Sequence, residues 1–463
     1  MSGWEELRRS GHVLLVSCIA YMLVCFVATH LVALIMLDAA AEFGFTIATY
    51  SLAQGAGNLV KGIALVVAGP VMERFGPHNV ANATLIAATA LLAVLALAPT
   101  PPLFVTALVA LISITAFAEQ PTYVVIQATF FQALQSVATS SITTSYSASG
   151  AILPLALAPV LEHSGWRSVC WSVVGVCSVA VVLALVAIKQ GPLAVGERVP
   201  APVASPVGND SGRSEQQVQS GGKGDAVRRK WQQAAAAVVA GASVEEAIRM
   251  PAFWALAAAN YLFMVYAAVI VNHLPMVLRT DAGLGVVEAA QVMSLQFAAA
   301  MGAKFAVGFL LALPTPPRRL LFIGAPLAYT ATHALLLDVD MQALLAADVA
   351  HALVVTRSPR RLRVYGVAVG LAFGVLFGLI QCLPIRLFGR RSLPTLQSLM
   401  YAIVILGNAT VLPVMGYLRD AYEETYAVPL LVSFAASAVL QPFFCLLMVR
   451  DREATQRARV LLL

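Results

Sequence analysis

Hydrophobic positions along the chain gather into twelve runs, at about 11–37, 47–71, 80–99, 103–132, 138–161, 168–190, 252–276, 286–313, 319–337, 364–385, 396–417 and 428–449. Short polar stretches separate them. The runs are continuous, without the strict alternation that strands of a membrane barrel would show. A run of roughly 20 residues, rising 1.5 Å per residue, crosses a hydrocarbon core about 30 Å thick. The pattern therefore predicts an all-α membrane protein with twelve transmembrane helices. One stretch breaks it: residues 191–249 are rich in Gly, Ser, Pro, Gln and charge, the composition of a largely disordered linker. It divides the chain into 1–190 and 250–463, with six spans each. Near its end, Ser243-Val244-Glu245-Glu246 has the spacing of a helix capping box, which predicts a short helix before the seventh span.

Composition agrees with the pattern. The chain is 60% hydrophobic and 11% charged, with mean hydropathy +0.83, whereas a soluble domain carries roughly 25% charged residues. The net charge of +6 does not point to nucleic acid, because the basic residues follow the topology. With both termini on one side, most Lys and Arg share that side, among them Arg8, Arg9, Arg74, Arg318, Arg319 and Arg386. The positive-inside rule makes that side cytoplasmic, in a plasma or organelle membrane. One loop dissents, placing Arg357, Arg360, Arg361 and Arg363 outside. All six cysteines lie in apolar runs without metal-ligand spacing, so neither a disulfide framework nor a metal site is expected. No phosphate-binding glycine loop or nucleophile constellation occurs, which argues against an enzyme and against a cofactor.

The second span runs into Gly69-Pro70-Val71-Met72-Glu73-Arg74-Phe75-Gly76. This resembles the Gly-x-x-x-Asp-Arg-x-Gly turn between spans two and three of the major facilitator superfamily, with Glu73 in place of Asp. The 6+6 division about a central loop has the same resemblance. It implies two six-helix bundles that rock about a midplane site, with Gly69, Glu73, Arg74 and Gly76 as a gating turn. Within that superfamily, Ser149-Gly150, Gly165-Trp166-Arg167 and Leu396-Gln397-Ser398-Leu399 are similar to stretches of the monocarboxylate porters and their oxalate/formate antiporter relatives. That likeness implies transport of a small carboxylate with a proton as co-substrate. It also places Lys304 where those porters bind the carboxylate, and His30 where they carry a switching lysine. Their acid one turn before the cation is Ala300 here. Carriers of large neutral amino acids share part of the pattern and give an alternative, and a nutrient receptor signalling through the linker gives another.

Charges inside spans carry the residue-level reading. A charged side chain at mid-bilayer costs about 2.5–3.5 kcal/mol even on insertion scales. Lys61, Glu119 and Lys304 fall in the second, fourth and eighth spans. Lys61 and Glu119 can form an ion pair or a coupling site. Lys304 then remains as an excess positive charge, which a monoanion would neutralise, unless it is itself the partner of Glu119. His30, in the first span, binds an anion if protonated and otherwise packs between helices.

Overall fold

The computed structural model describes residues 3–131, 135–187, 242–313, 317–339, 353–388, 393–422 and 425–462. Most of the linker therefore lies outside the described residues. The described chain is almost wholly helical: α1 (Leu7–Phe43), α2 (Ile47–Phe75), α3 (Pro77–Leu97), α4 (Pro101–Gln127), α5 (Ser140–Ala187), α6 (Pro251–Thr280), α7 (Val286–Ala312), α8 (Leu320–Leu336), α9 (Pro359–Phe388), α10 (Leu393–Ala421) and α11 (Ala427–Leu462). A short helix, Val244–Ile248, precedes α6 and is capped by reciprocal Ser243 and Glu246 hydrogen bonds.

Among the described residues ten helices, rather than twelve, are long and apolar enough to cross a membrane. The difference has two causes. The fifth and sixth hydrophobic runs form one continuous element, α5, whose helical path is interrupted at Gly165 (φ 74°, ψ 173°). The ninth, α8, is short and opens with a π-helical stretch, Leu320–Gly324. After α8 comes a feature absent from the hydrophobic pattern, an antiparallel pair of three-residue strands, Leu337–Val339 and Leu353–Val355. Arg361 fastens it, pairing with Asp338 and donating to the Ala334 and Leu337 carbonyls. The Thr356 hydroxyl and Arg361 hold the Asp338 carboxyl below its ordinary pKa. One of the dissenting arginines thus has a structural partner.

Several motif residues acquire local reasons. Trp166 and Arg167 both bind Glu42, at 2.6 and 2.5 Å, and Arg167 also reaches the Ala96 and Ala98 carbonyls. The Gly-Trp-Arg stretch thereby joins the ends of α1 and α3 to the middle of α5. Gly76 has φ +82°, a conformation that a side chain rarely adopts, which explains the glycine that closes the turn. Asn79 caps α2 through the Phe75 carbonyl.

Helices in lipid gain little from apolar burial against one another, so close approach through small residues matters more. Gly366, Gly370, Gly374 and Gly378, one per turn of α9, lie against α7 from Val292 to Val307. At Gly370 an added Cβ would overlap the Gln296 carbonyl, and at Gly374 the Ala300 carbonyl stands in the way. Gly370→Ala is expected to cost about 1–3 kcal/mol, read as a lowered melting temperature of the purified protein; an unchanged melting temperature would show that the two helices are not packed this closely. The two chain halves meet similarly, with Gly55 of α2 against Pro413 and Ala409 of α10, Gly416 of α10 against Ser51, and Gly150 of α5 against the Phe297 ring of α7. Where α1 turns into α2, Arg279 binds Asp38 at 2.8 Å and Asp420 accepts from the Ala48 amide at 2.8 Å, tying the halves at that end. Exposed apolar side chains such as Leu52, Ile63, Val66, Val179, Val182 and Val439 cover the outward faces, as a lipid-facing surface requires.

Candidate functional site

Four of the eight sequence-predicted site residues collect at the middle of the helices, and each is held there by a local irregularity or a packed neighbour. Proline at the second helical position of Gln120–Phe130, Pro121, goes with a break in α4, where a 3-10 turn, Thr115–Ala118, ends at an extended Glu119 (φ −77°, ψ 174°). That break turns the Glu119 carboxylate toward α2, where it forms a buried ion pair with Lys61. The second carboxylate oxygen accepts a hydrogen bond of 3.0 Å from Tyr401 of α10, in the other half of the chain. One carboxylate thus engages Lys61 of its own half and a hydroxyl from the opposite one.

Lys304 has different surroundings. It is 7% exposed, and its ammonium has no hydrogen-bond partner among the described residues. Three rings face it: Phe377 at 4.1 Å, Tyr146 at 4.8 Å and Phe373 at 5.6 Å from the ring centres. Tyr146 belongs to α5, and the two phenylalanines lie on α9, so the cage is shared between halves. Cation–π attraction is worth about 2 kcal/mol or more for a desolvated contact, but it supplies none of the hydrogen bonds that offset the several kcal/mol cost of burying an ammonium. The charge is therefore only partly compensated by protein.

His30 sits in a π-helical stretch of α1, Phe26–Leu31, and is fully buried. Its ring packs edge-on to Phe297 at 4.6 Å and against Tyr146 at 5.3 Å. The Tyr146 backbone is a polar neighbour of the ring. Tyr146 thus touches both His30 and Lys304, and the two share one aromatic cluster. Two other buried histidines are engaged, His273 with the Tyr426 hydroxyl at 2.8 Å and His333 with the Thr330 carbonyl at 3.0 Å.

The turn at 69–76, read from the sequence as a gate, lies apart from this cluster. Arg74 is exposed over the Phe75 ring, nothing approaches the place a Cβ would take at Gly69, and the Glu73 side chain lies outside what the structure describes. Sequence reasoning missed the aromatic residues Tyr146, Phe297, Phe373 and Phe377, and missed Tyr401. A signal for two of them was present, since Phe373 and Phe377 are interleaved with the glycines of α9 at the same helical spacing.

A family model of the Major Facilitator Superfamily matches residues 17–381, most of the chain. The chain belongs to this superfamily. Its members are transporters that work by alternating access, and a central cluster shared by two halves is where such a fold places its solute site. Among solved structures, a bacterial homologue of the human lysosomal transporter Spinster in its inward-facing, unoccupied conformation has a similar fold. The match has TM-score 0.66 at 15% identity and covers 96% of this chain and 98% of that one. The occupied inward-facing form of such a homologue matches with TM-score 0.59, also at 15% identity, over 96% of this chain and 97% of that one. Likeness at this identity extends to the fold alone. No curated protein matches the chain.

Proposed function

We propose that this major facilitator protein is a secondary or facilitative carrier of small organic anions, monocarboxylate-like in charge, with Lys304 and His30 in its solute site. The accompanying topology is twelve crossings in two six-helix bundles, with both termini cytoplasmic. The break at Gly165 divides α5 into two crossings, and α8 completes the count despite its length. The observation that carries the reading is the ammonium of Lys304, buried and without a hydrogen-bond partner among the described residues. Lys61 is already neutralised by Glu119, so the central balance is one positive charge. A monoanion cancels it, whereas a cation adds to it. The phenyl rings around the ammonium favour an anion with an apolar body over one bearing further charge.

The alternative of a neutral amino acid requires a carboxylate for the solute's own ammonium. Glu119 is engaged by both Lys61 and Tyr401, so the anion is favoured. Reconstituted in liposomes, the protein is expected to take up labelled pyruvate or lactate saturably and to leave leucine behind. Leucine uptake without carboxylate uptake would replace the reading with the amino-acid carrier. Binding without any flux would replace it with a receptor.

A further inference from the structure

Four arginines precede or open α9, at the end of the protein where the positive-inside rule expects few. Two of them have a local setting. Arg361 holds the strand pair through Asp338, and Arg357 shares a cavity of about 720 Å³ with Asp281 and Asp338. Arg360 and Arg363 differ. Both are exposed near the start of α9, and neither side chain makes an ion pair or hydrogen bond among the described residues. Below them the exposed positions are Val364, Val367 and Leu371. With the two arginines these recur three and four residues apart, the spacing of one helical face. The face then closes, since every residue from Ala372 to Gly374 and from Leu376 to Ile380 is buried. The open strip from Arg360 to Leu371 is therefore roughly 16 Å long at 1.5 Å per residue, about half of a hydrocarbon core. A transmembrane helix from another chain would need the whole length of α9 to pack against. A lipid headgroup and the upper part of one acyl chain need only this much.

We propose that this strip holds one anionic phospholipid, its phosphate between Arg360 and Arg363 and one acyl chain along Val364, Val367 and Leu371. A guanidinium donates two parallel hydrogen bonds to phosphate oxygens, and two guanidinium groups one turn apart can share a single headgroup. No carboxylate among the described residues pairs with either arginine. An ammonium-bearing headgroup therefore finds no counter-charge here, and a headgroup with net negative charge is favoured. Lipid tails cover the valines and the leucine whatever the headgroup, so selectivity resides in the two arginines. The bound lipid supplies the counter-charge that the chain itself does not, which gives the basic residues a reason to lie on this side. On the twelve-crossing topology it occupies the leaflet away from the cytoplasm, so the membrane housing this transporter carries anionic phospholipid in that leaflet. The site stands whichever solute is carried.

Photolabelling reads the site without transport. The full-length protein is placed in phosphatidylcholine nanodiscs with a small fraction of phosphatidylglycerol bearing a photoactivatable acyl chain. After illumination, peptide mass spectrometry should find adducts in residues 364–371. In Arg360→Gln/Arg363→Gln the yield there at limiting probe should fall about 25-fold, at about fivefold per basic residue near a membrane surface. Both positions are exposed, so this variant should keep the wild-type gel-filtration profile. Arg360→Lys/Arg363→Lys, which preserves the charges, should retain most of the labelling. The same photoactivatable chain on phosphatidylcholine should label wild type and glutamine variant weakly and alike. Equal labelling of the wild type by the two headgroups, or undiminished phosphatidylglycerol labelling in the glutamine variant, overturns the site. So does a photoreactive residue placed at Val367 that links to a second copy of the chain rather than to lipid.

Discussion

Lys304→Met should abolish carboxylate uptake, by about 100-fold or more in initial rate, and yet raise the melting temperature of the purified protein. Truncating one partner of a buried, desolvated charge pair typically removes about 2–5 kcal/mol, and here the lost partner would be the solute's. The gain in stability has a separate origin. Burying the ammonium costs several kcal/mol, and its contacts with Phe377, Tyr146 and Phe373 offset part of this without supplying a hydrogen bond. An apolar side chain of similar length keeps the packing and removes the penalty. Lys304→Arg should retain part of the activity, since the charge persists on a wider, forked head. Unimpaired uptake in Lys304→Met, or a melting temperature well below that of the wild type, would remove Lys304 from the solute site and make it a structural cation.

Lys61→Met should have the largest effect on folding. It leaves the Glu119 carboxylate buried against one hydroxyl, and breaking a buried pair from one side costs about 3–5 kcal/mol. For a membrane protein of ordinary stability that means low yield and aggregation in detergent. Adding Glu119→Gln should restore most of the loss, because a neutral amide can still accept from Tyr401. Glu119→Gln combined with a Lys304 substitution should not substitute for it, because Lys304 is not the partner of Glu119. Gel-filtration profiles and melting curves of the three variants decide the pairing. If Lys61→Met folds as well as the wild type, the ion pair is not the one described.

Most of the spans were legible because lipid imposes one dominant rule, a continuous apolar run per crossing; the linker lies largely outside the described residues. The turn glycines and the Trp166–Arg167 stretch were legible as motifs, and their reasons, a positive φ at Gly76 and a shared carboxylate at Glu42, appear only in three dimensions. The strands at 337–339 and 353–355 left no trace in hydropathy, since three residues are too few to show a period. In the site, the three buried charges stood out because charge is rare in spans, so Lys61 and Glu119 could be considered together. The rings around Lys304 could not be picked out, because a phenylalanine facing an ammonium and one facing lipid look the same in sequence. Tyr401 was hidden for a related reason: its role depends on which helix of the other half it meets.

The glycine row on α9 makes α7 and α9 a single plank, since backbone rests on backbone from Gly366 to Gly378. Lys304, Phe373 and Phe377 ride on that plank together, whereas Tyr146 rides on α5 in the other half of the chain. Movement between the halves therefore removes one wall of the cage and leaves two in place. On the proposed anion reading, the ammonium looks out through the same window whichever end of the protein opens, and a solute arriving from either side of the membrane meets the same donor face.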